Sequence, residues 1–201
     1  MSIAVNRSRT IERATNETRI TVTLDMDGAG SVRAETQVPF LDHMLDAFGR
    51  HGQLDLAVTS TGDAAMDPHH TVEDVGIVIG QAIREALGER LGIARYGHAY
   101  APLDEALARA VIDVSGRPYF HFTGEMPEPQ IGADFASSLI EEFWRALATN
   151  AGFTMHLDLL RARNAHHAAE AIFKAGTLAI HGATRISRST MEIPSTKGTL
   201  A

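Results

Sequence analysis

The sequence predicts an internally duplicated α+β protein: two similar halves, each an antiparallel sheet covered on one face by two helices. Three observations predict it. Period-two stretches rich in β-branched residues alternate with apolar stripes at helical spacing. The order of these elements recurs once along 201 residues. Two patches also match in letters at nearly equal offsets: FLDHMLDAF at 40–48 with FASSLIEEF at 135–143, and HHTVED at 69–74 with HHAAEA at 166–171. Two matches in the same order indicate duplication. One sheet face suffices to bury the helices' apolar stripes, leaving the other for solvent, the other half or another subunit.

In the first half, TRITVTLD at 18–25 alternates as a strand, MDGAG supplies a turn, and SVRAET is expected to return as a second strand. Pro39 then opens a helix whose stripe is Phe40, Leu41, Met44, Leu45 and Phe48, with Gly49 or Gly52 to end it. QLDLAVTS at 53–60 is a further strand, and the segment from Thr71 to Gly92 a longer amphipathic helix. The second half has two strand-like stretches around Gly116 and Pro118 and a helix over DFASSLIEEFWRALATNAG. A strand over FTMHLDLLRA and a helix from His166 complete it. The acidic, proline-bearing tract at 125–128 reads as a loop. The boundary is expected near Gly92–Gly97, giving repeats over 1–94 and 95–201, the second carrying a C-terminal substrate-binding tail.

Composition narrows the function. A formal net charge of −7 argues against nonspecific nucleic-acid binding. The absence of cysteine excludes disulfides, thiol catalysis and Cys-ligated metals. No stretch is long and apolar enough for a membrane span, and the N-terminal residues lack a signal-peptide core, so a cytoplasmic location is expected. Neither a Walker motif nor GxGxxG occurs, which leaves ATP and nicotinamide cofactors unindicated.

The chemistry lies in the paired HHxxE patches. On a helix His69 and Glu73 are i,i+4 neighbours and His70 and Glu73 i,i+3; His166, His167 and Glu170 repeat this, with Lys174 one turn on. Adjacent histidines point about 100° apart, so a pair can face two metals. Imidazole with carboxylate suits manganese, zinc, iron or nickel. One such patch alone is as well read as a helix start bonded to its own backbone. Two copies, four imidazoles and two carboxylates, make a dinuclear centre the better reading. His43 sits among apolar neighbours, and its repeat partner is Ser138, with Glu142 one turn beyond. Arg95, Arg117, Lys174 and Lys197 fall near expected loop ends and, with Ser195 in STKG, can gather an anion.

Together these patches resemble the imidazoleglycerol-phosphate dehydratase family. The resemblance runs from about Arg9 to Leu200 through RATNET (13–18), PFLDHML (39–45), DPHHTVEDVG (67–76), PLDEAL (102–107), DVSGRP (113–118), NAHHAAEAIFKA (164–175) and STKG (195–198). It implies a duplicated fold of the ribosomal protein S5 domain 2-like kind and a homo-24-mer with active sites at subunit interfaces. Two Mn2+ ions per site are implied, held by His43, His69, His70, Glu73, His166, His167 and Glu170. Where family members often carry a further histidine this chain has Glu142, which can also coordinate manganese. Where a glutamine is common it has Ala47. The implied anion site is Arg95, Arg117, Lys174, Ser195 and Lys197, with Glu17 approaching the substrate's glycerol portion. The implied reaction is a histidine-biosynthetic one: loss of water from D-erythro-imidazole-glycerol phosphate, a phosphorylated imidazole, to give imidazole-acetol phosphate. Glu17 and Glu170 are the candidates for proton transfer, and spacing does not choose between them. Read without the resemblance, the same ligands fit a dinuclear phosphate-ester hydrolase or a noncatalytic protein stapled by metal.

Overall fold

The computed structural model describes residues 6–187 and 192–200; the start of the N-terminal segment, read above for a leader, lies outside the described residues. The first half comprises β1 (Ser8–Ala14), β2 (Thr18–Asp25), β3 (Val32–Glu35), α1 (Pro39–Gly52), β4 (Asp55–Gly62) and α2 (His69–Leu87). The second comprises β5 (Tyr96–Leu103), β6 (Ala106–Asp113), β7 (Tyr119–Thr123), a short β8–β9 ribbon (Gln130–Ile131, Phe135–Ala136), α3 (Leu139–Ala151), β10 (Thr154–Arg161) and α4 (Ala165–Thr184).

The two sheets have matching orders, β1-β2-β4-β3 and β5-β6-β10-β7. Three strands of each run antiparallel, as expected, and the fourth, β3 or β7, is a parallel edge. SVRAET therefore does not return as a hairpin on β2. It joins β4 after a helical crossover, which is the connection that parallel neighbours require. Both edges of β2 are already paired, to β1 and β4, and the turn that leads away is held against β4, where Asp55 accepts N–H bonds from Ala29 and Ser31 and a Cβ at Gly28 would lie 2.3 Å from the Asp55 backbone nitrogen. Two strands, β1 and β5, had no clear period-two signal of their own. The helix expected from Asp134 begins only at Leu139, because Phe135 and Ala136 pair back onto β8.

All four helices lie between the sheets: α1 and α2 against the first, α3 and α4 against the second, with α2 on α3 and α1 on α4 across the halves. Alternation along the strands sends Ile20, Val22 and Leu24, and likewise Ala110, Ile112, Met155 and Leu157, into this layer. Phe48, Phe143, Trp144 and Phe173, all buried, form an aromatic cluster from α1, α3 and α4. Close approach is set by glycine: a Cβ at Gly76 would lie 2.7 Å from the Phe143 carbonyl oxygen. Helix α1 starts on Pro39 and ends at Gly52, with Gln53 taking the left-handed cap. The site residues stand at helix ends fixed by this packing.

Candidate metal centre and anion cleft

Both HHxxE patches lie where the sequence puts them, in the first turns of α2 and α4. Asn164 caps α4 by accepting the His167 N–H, which fixes the start of that helix. His166 Nε2 lies 3.0 Å from Glu170 Oε1, and His43 Nε2, arriving from α1, 3.2 Å from the same oxygen. The donor atoms of His43, His166 and Glu170 all fall within 4.8 Å of one another, a constellation able to hold a metal ion. Phe40 packs near both imidazoles, and its ring rests on Phe135 from the β8–β9 ribbon. Burial raises the Glu170 pKa, but the Lys174 ammonium at 2.6 Å and the two imidazoles outweigh it and bring the carboxyl down to about 2.

The first-half patch is looser. His69 Nε2 is 3.9 Å from Glu73 Oε2. Arg145, on α3, donates to Glu73 at 3.1 Å and also pairs with Glu142. The residue standing at the family histidine is thus one guanidinium away from the first HHxxE.

The second histidine of each pair turns elsewhere. The rings of His69 and His70, and of His166 and His167, stand at 83° to each other. His70 Nδ1 is 2.9 Å from Asp63 Oδ2, and His167 Nδ1 is 2.8 Å from Glu105 Oε2. Each carboxylate raises its partner's imidazole pKa, while the His167 contact helps to hold Glu105 down to about 2. A carboxylate on Nδ1 fixes the tautomer that leaves Nε2 as the outward donor. His70 Nε2 faces Glu17 at 3.9 Å, and His167 Nε2 faces Asp104 at 4.0 Å.

Glu17 sits in the β1–β2 turn, where Thr15 Oγ1 accepts the N–H of Glu17 and of Thr18. That turn is tied to α2 through buried Asp74, which pairs with Arg13 at 3.0 Å and accepts from Thr18 Oγ1. RATNET and HHTVED are therefore joined by a positioning carboxylate that spacing alone does not reveal. Asp63, Glu105 and Arg145 were missed as well. Glu105 had a signal in PLDEAL but no assigned role; Asp63, in a turn-rich stretch, had none.

Arg95, Arg117, Ser195 and Lys197 line one open cleft of about 580 Å³. Arg95, at φ 74°, spends its guanidinium on Asp113 at 2.8 and 3.1 Å and on the Pro194 carbonyl at 2.9 Å. It shapes the cleft and holds the tail more than it offers free donors. Ser195 Oγ accepts the Lys197 N–H, and Ser115 Oγ the Arg117 N–H. Lys174 does not line this cleft; it neutralises Glu170 instead. None of the eight candidate metal ligands lines it either.

The family model described as imidazoleglycerol-phosphate dehydratase matches residues 36–180. The imidazoleglycerol-phosphate dehydratase of Ralstonia nicotianae is 51% identical over 197 residues, covering 98% of this chain and 100% of its own. That of Halorhodospira halophila is 50% identical over 195 residues, covering 96% and 98%. The crystal structure of the Staphylococcus aureus enzyme superposes with a TM-score of 0.81 at 39% identity, covering 90% of this chain and 99% of that one. With the duplicated fold, the paired HHxxE helices and matches across nearly the whole chain, this protein belongs to the imidazoleglycerol-phosphate dehydratase family.

Proposed function

We propose that the protein removes water from D-erythro-imidazole-glycerol phosphate to give imidazole-acetol phosphate, a step of histidine biosynthesis, using two manganese ions per active site. The observation that carries this reading is the convergence of His43, His166 and Glu170 from two helices, repeated in looser form at His69 and Glu73, in a member of this family. The donor set fits the metal: imidazole nitrogens and carboxylate oxygens, with no thiolate in the chain. His43, His166 and Glu170 would hold one ion, with His69, Glu73 and Glu142 serving another and His70 and His167 offering outward donors. Bound there, the ions supply Lewis-acid stabilisation of negative charge on the substrate ring.

The chain's own residues supply the rest. The cleft of Arg117, Ser195 and Lys197 takes the phosphate, with Arg95 holding its wall. In the elimination the hydroxyl leaves from the carbon next to the ring, a proton leaves the neighbouring carbon, and the resulting enol becomes the ketone. Glu170 is a poor acceptor for that proton: both its oxygens are engaged, by His43 and His166 on one side and Lys174 on the other, and it would be a metal ligand. Glu17 is exposed beside His70 and takes the proton instead.

The metal groups and the anion cleft share no lining residue, and among the described residues the outward nitrogens of His70 and His167 meet one carboxylate each. A substrate with a ring at one end and a phosphate at the other is best served by joining these parts from different copies. We take the working form to be the homo-24-mer with interface sites that the family resemblance implies, and its location to be the cytoplasm. Among the described residues no helix is long and apolar enough to cross a membrane.

The test is to strip metal from the purified protein, return Mn2+ in steps with imidazole-glycerol phosphate present, and follow imidazole-acetol phosphate against bound metal. Turnover rising as occupancy approaches about two per site supports the dehydratase. Phosphate release would favour a dinuclear hydrolase, and full assembly and metal binding with no turnover a structural role. Glu17→Gln should lower kcat with metal content retained; unchanged kcat removes Glu17 as the base.

A further inference from the structure

Behind the anion cleft lies a cation that the functional reading leaves unused. Arg90 follows α2 in a left-handed conformation, φ 59°, and is only 9% exposed. Its Nη1 donates to the Leu200 carbonyl at 3.3 Å, while Nε is buried with no hydrogen-bond partner. A Cβ built on Gly152 would lie 3.5 Å from Arg90 Nη2 and 3.5 Å from Gly116 Cα, and the Gly116 N–H bonds the Gly152 carbonyl. The guanidinium thus stands between the 192–200 tail, which carries Ser195 and Lys197, and the loop that carries Arg117. Nearby, the Gly92 N–H bonds the Glu192 carbonyl, a second tie to the same tail.

The charge balance is unusual. Arg95, which lines the cleft, is neutralised by Asp113. Arg90 makes no ion pair with a carboxylate among the described residues. Burial and the neighbouring Arg84 both lower its pKa, although a guanidinium stays protonated throughout the working range. A buried cation without a counter-ion is costly, and one backbone carbonyl does not offset that cost. In a low-dielectric setting such a charge acts over a longer range than one in water.

We propose that Arg90 is a positioning residue for substrate binding: a buried guanidinium with no carboxylate partner among the described residues, which bonds the tail beside the Gly116–Arg117 loop and contributes positive charge behind the cleft. This rests on the reading of that cleft as the phosphate pocket. The charge favours the doubly ionised phosphate in ground state and transition state alike, so it acts on KM and not on kcat.

The experiment compares Arg90→Met, Arg90→Lys and Lys197→Ala in the metal-loaded, full-length protein. KM and kcat for imidazole-glycerol phosphate, competitive inhibition by inorganic phosphate, and thermal stability are measured for each. Replacing a buried unpaired charge with an apolar side chain of similar length should leave stability equal or higher. Arg90→Met is nonetheless expected to raise KM and weaken phosphate inhibition about three- to tenfold, the scale of one screened cation at an effective dielectric of about 20. Its kcat should stay within about twofold, and Arg90→Lys should restore most of KM. An unchanged KM in Arg90→Met beside a raised KM in Lys197→Ala overturns the role of Arg90 and keeps the cleft. No effect in either variant refutes the phosphate pocket itself. Lost stability or assembly in Arg90→Met with no shift in KM or phosphate inhibition makes Arg90 merely structural and overturns the proposal.

Discussion

Replacing Gly176 with alanine sets two physical effects against each other on one helix. Alanine is the better helix former by about 0.8–1 kcal/mol, so propensity alone predicts a more stable protein. The packing predicts the reverse. A Cβ at Gly176 would lie 2.4, 2.7 and 2.8 Å from three atoms of the Trp144 ring. Carbon atoms pack at about 3.5–4.0 Å, so the ring or the helix must move by roughly 1 Å. Trp144 has no exposed surface and nowhere to go: ring centroids of Phe173, Phe143 and Phe48 lie 5.2, 5.5 and 6.0 Å away. Overpacking costs about 1–3 kcal/mol, and a rigid ring hemmed in on several sides belongs in the upper part of that range. The net expectation is a loss of about 1–2 kcal/mol, or roughly 2–8 °C in Tm for a chain of this size. Gly182 on the same helix is the control, since its Cβ would meet only Gly97 Cα at 3.7 Å, an ordinary contact. Gly182→Ala should therefore show the propensity gain of about 0.8–1 kcal/mol that overpacking outweighs at Gly176. Calorimetry of both at matched protein concentration separates them, because assembly would make Tm concentration-dependent. A Gly176→Ala protein as stable as Gly182→Ala would refute the packing argument. Since α4 carries His166 and Glu170 toward His43, the same substitution should also weaken metal binding.

Asp63→Asn and Glu105→Gln remove the carboxylates that orient His70 and His167, and each should weaken Mn2+ binding about 10- to 100-fold in a calorimetric titration. Full affinity in both would sink the orienting role. Glu142→Ala should lower occupancy at one of the two metals after dialysis; two tightly held ions would remove Glu142 from the ligand set. Stability should also respond to pH in opposite senses with and without metal. The folded-state pKa values of His70 and His167 are raised above the ordinary 6.5, so in the metal-free chain their contribution is fully present below that value and is lost as pH rises through the folded value. Metal binding needs the outward nitrogen unprotonated and so gains with pH over the same window. Thermal melts of metal-free and Mn2+-loaded protein from about pH 5.5 to 8.5 should diverge, and parallel curves would contradict the assignment.

The parts of the fold that were legible in sequence follow from local rules. The strand at 18–25, the stripe of α1, the chain reversal at Gly52 and the duplicated order all depend on periodicity and capping, which act over a few residues. What was not legible is long-range. SVRAET alternates like a hairpin return, but both edges of β2 are taken by β1 and β4, which leaves it the parallel edge of β4. Phe135 looks like the first residue of a helical stripe, yet the β8–β9 ribbon claims it. The site divides in the same way. His166 and Glu170 meet through helix geometry alone, whereas Asp63 beside His70 and Glu105 beside His167 arise from loops folding back over 7 and 62 residues. Lys174 shows the limit of pattern reading. Its i+4 spacing from Glu170 gives an intrahelical ion pair directly, and that pairing keeps it from the anion cleft of its own chain.

The histidine dipeptides carry the strongest argument for an assembled enzyme. A helix turns about 100° per residue, so two adjacent imidazoles leave it in different directions, and the glutamate one turn on can be shared by both or left to one. The chain resolves this identically in both halves: the first histidine faces its own Glu73 or Glu170, and the second is fixed by Asp63 or Glu105 with its Nε2 pointing outward. Had the second histidines been surplus, nothing would select a carboxylate for each Nδ1 from a different loop in each half. Orienting a nitrogen is useful only if something is to be bound there, and among the described residues each finds a single carboxylate, at 3.9 and 4.0 Å. Donors prepared on the outside of a chain, with a cleft that contains none of the candidate metal ligands, fit the proposed site shared between copies. Duplication then has a chemical consequence: one folding unit used twice presents two inward and two outward imidazoles, on which the proposed two-ion site shared between copies would draw.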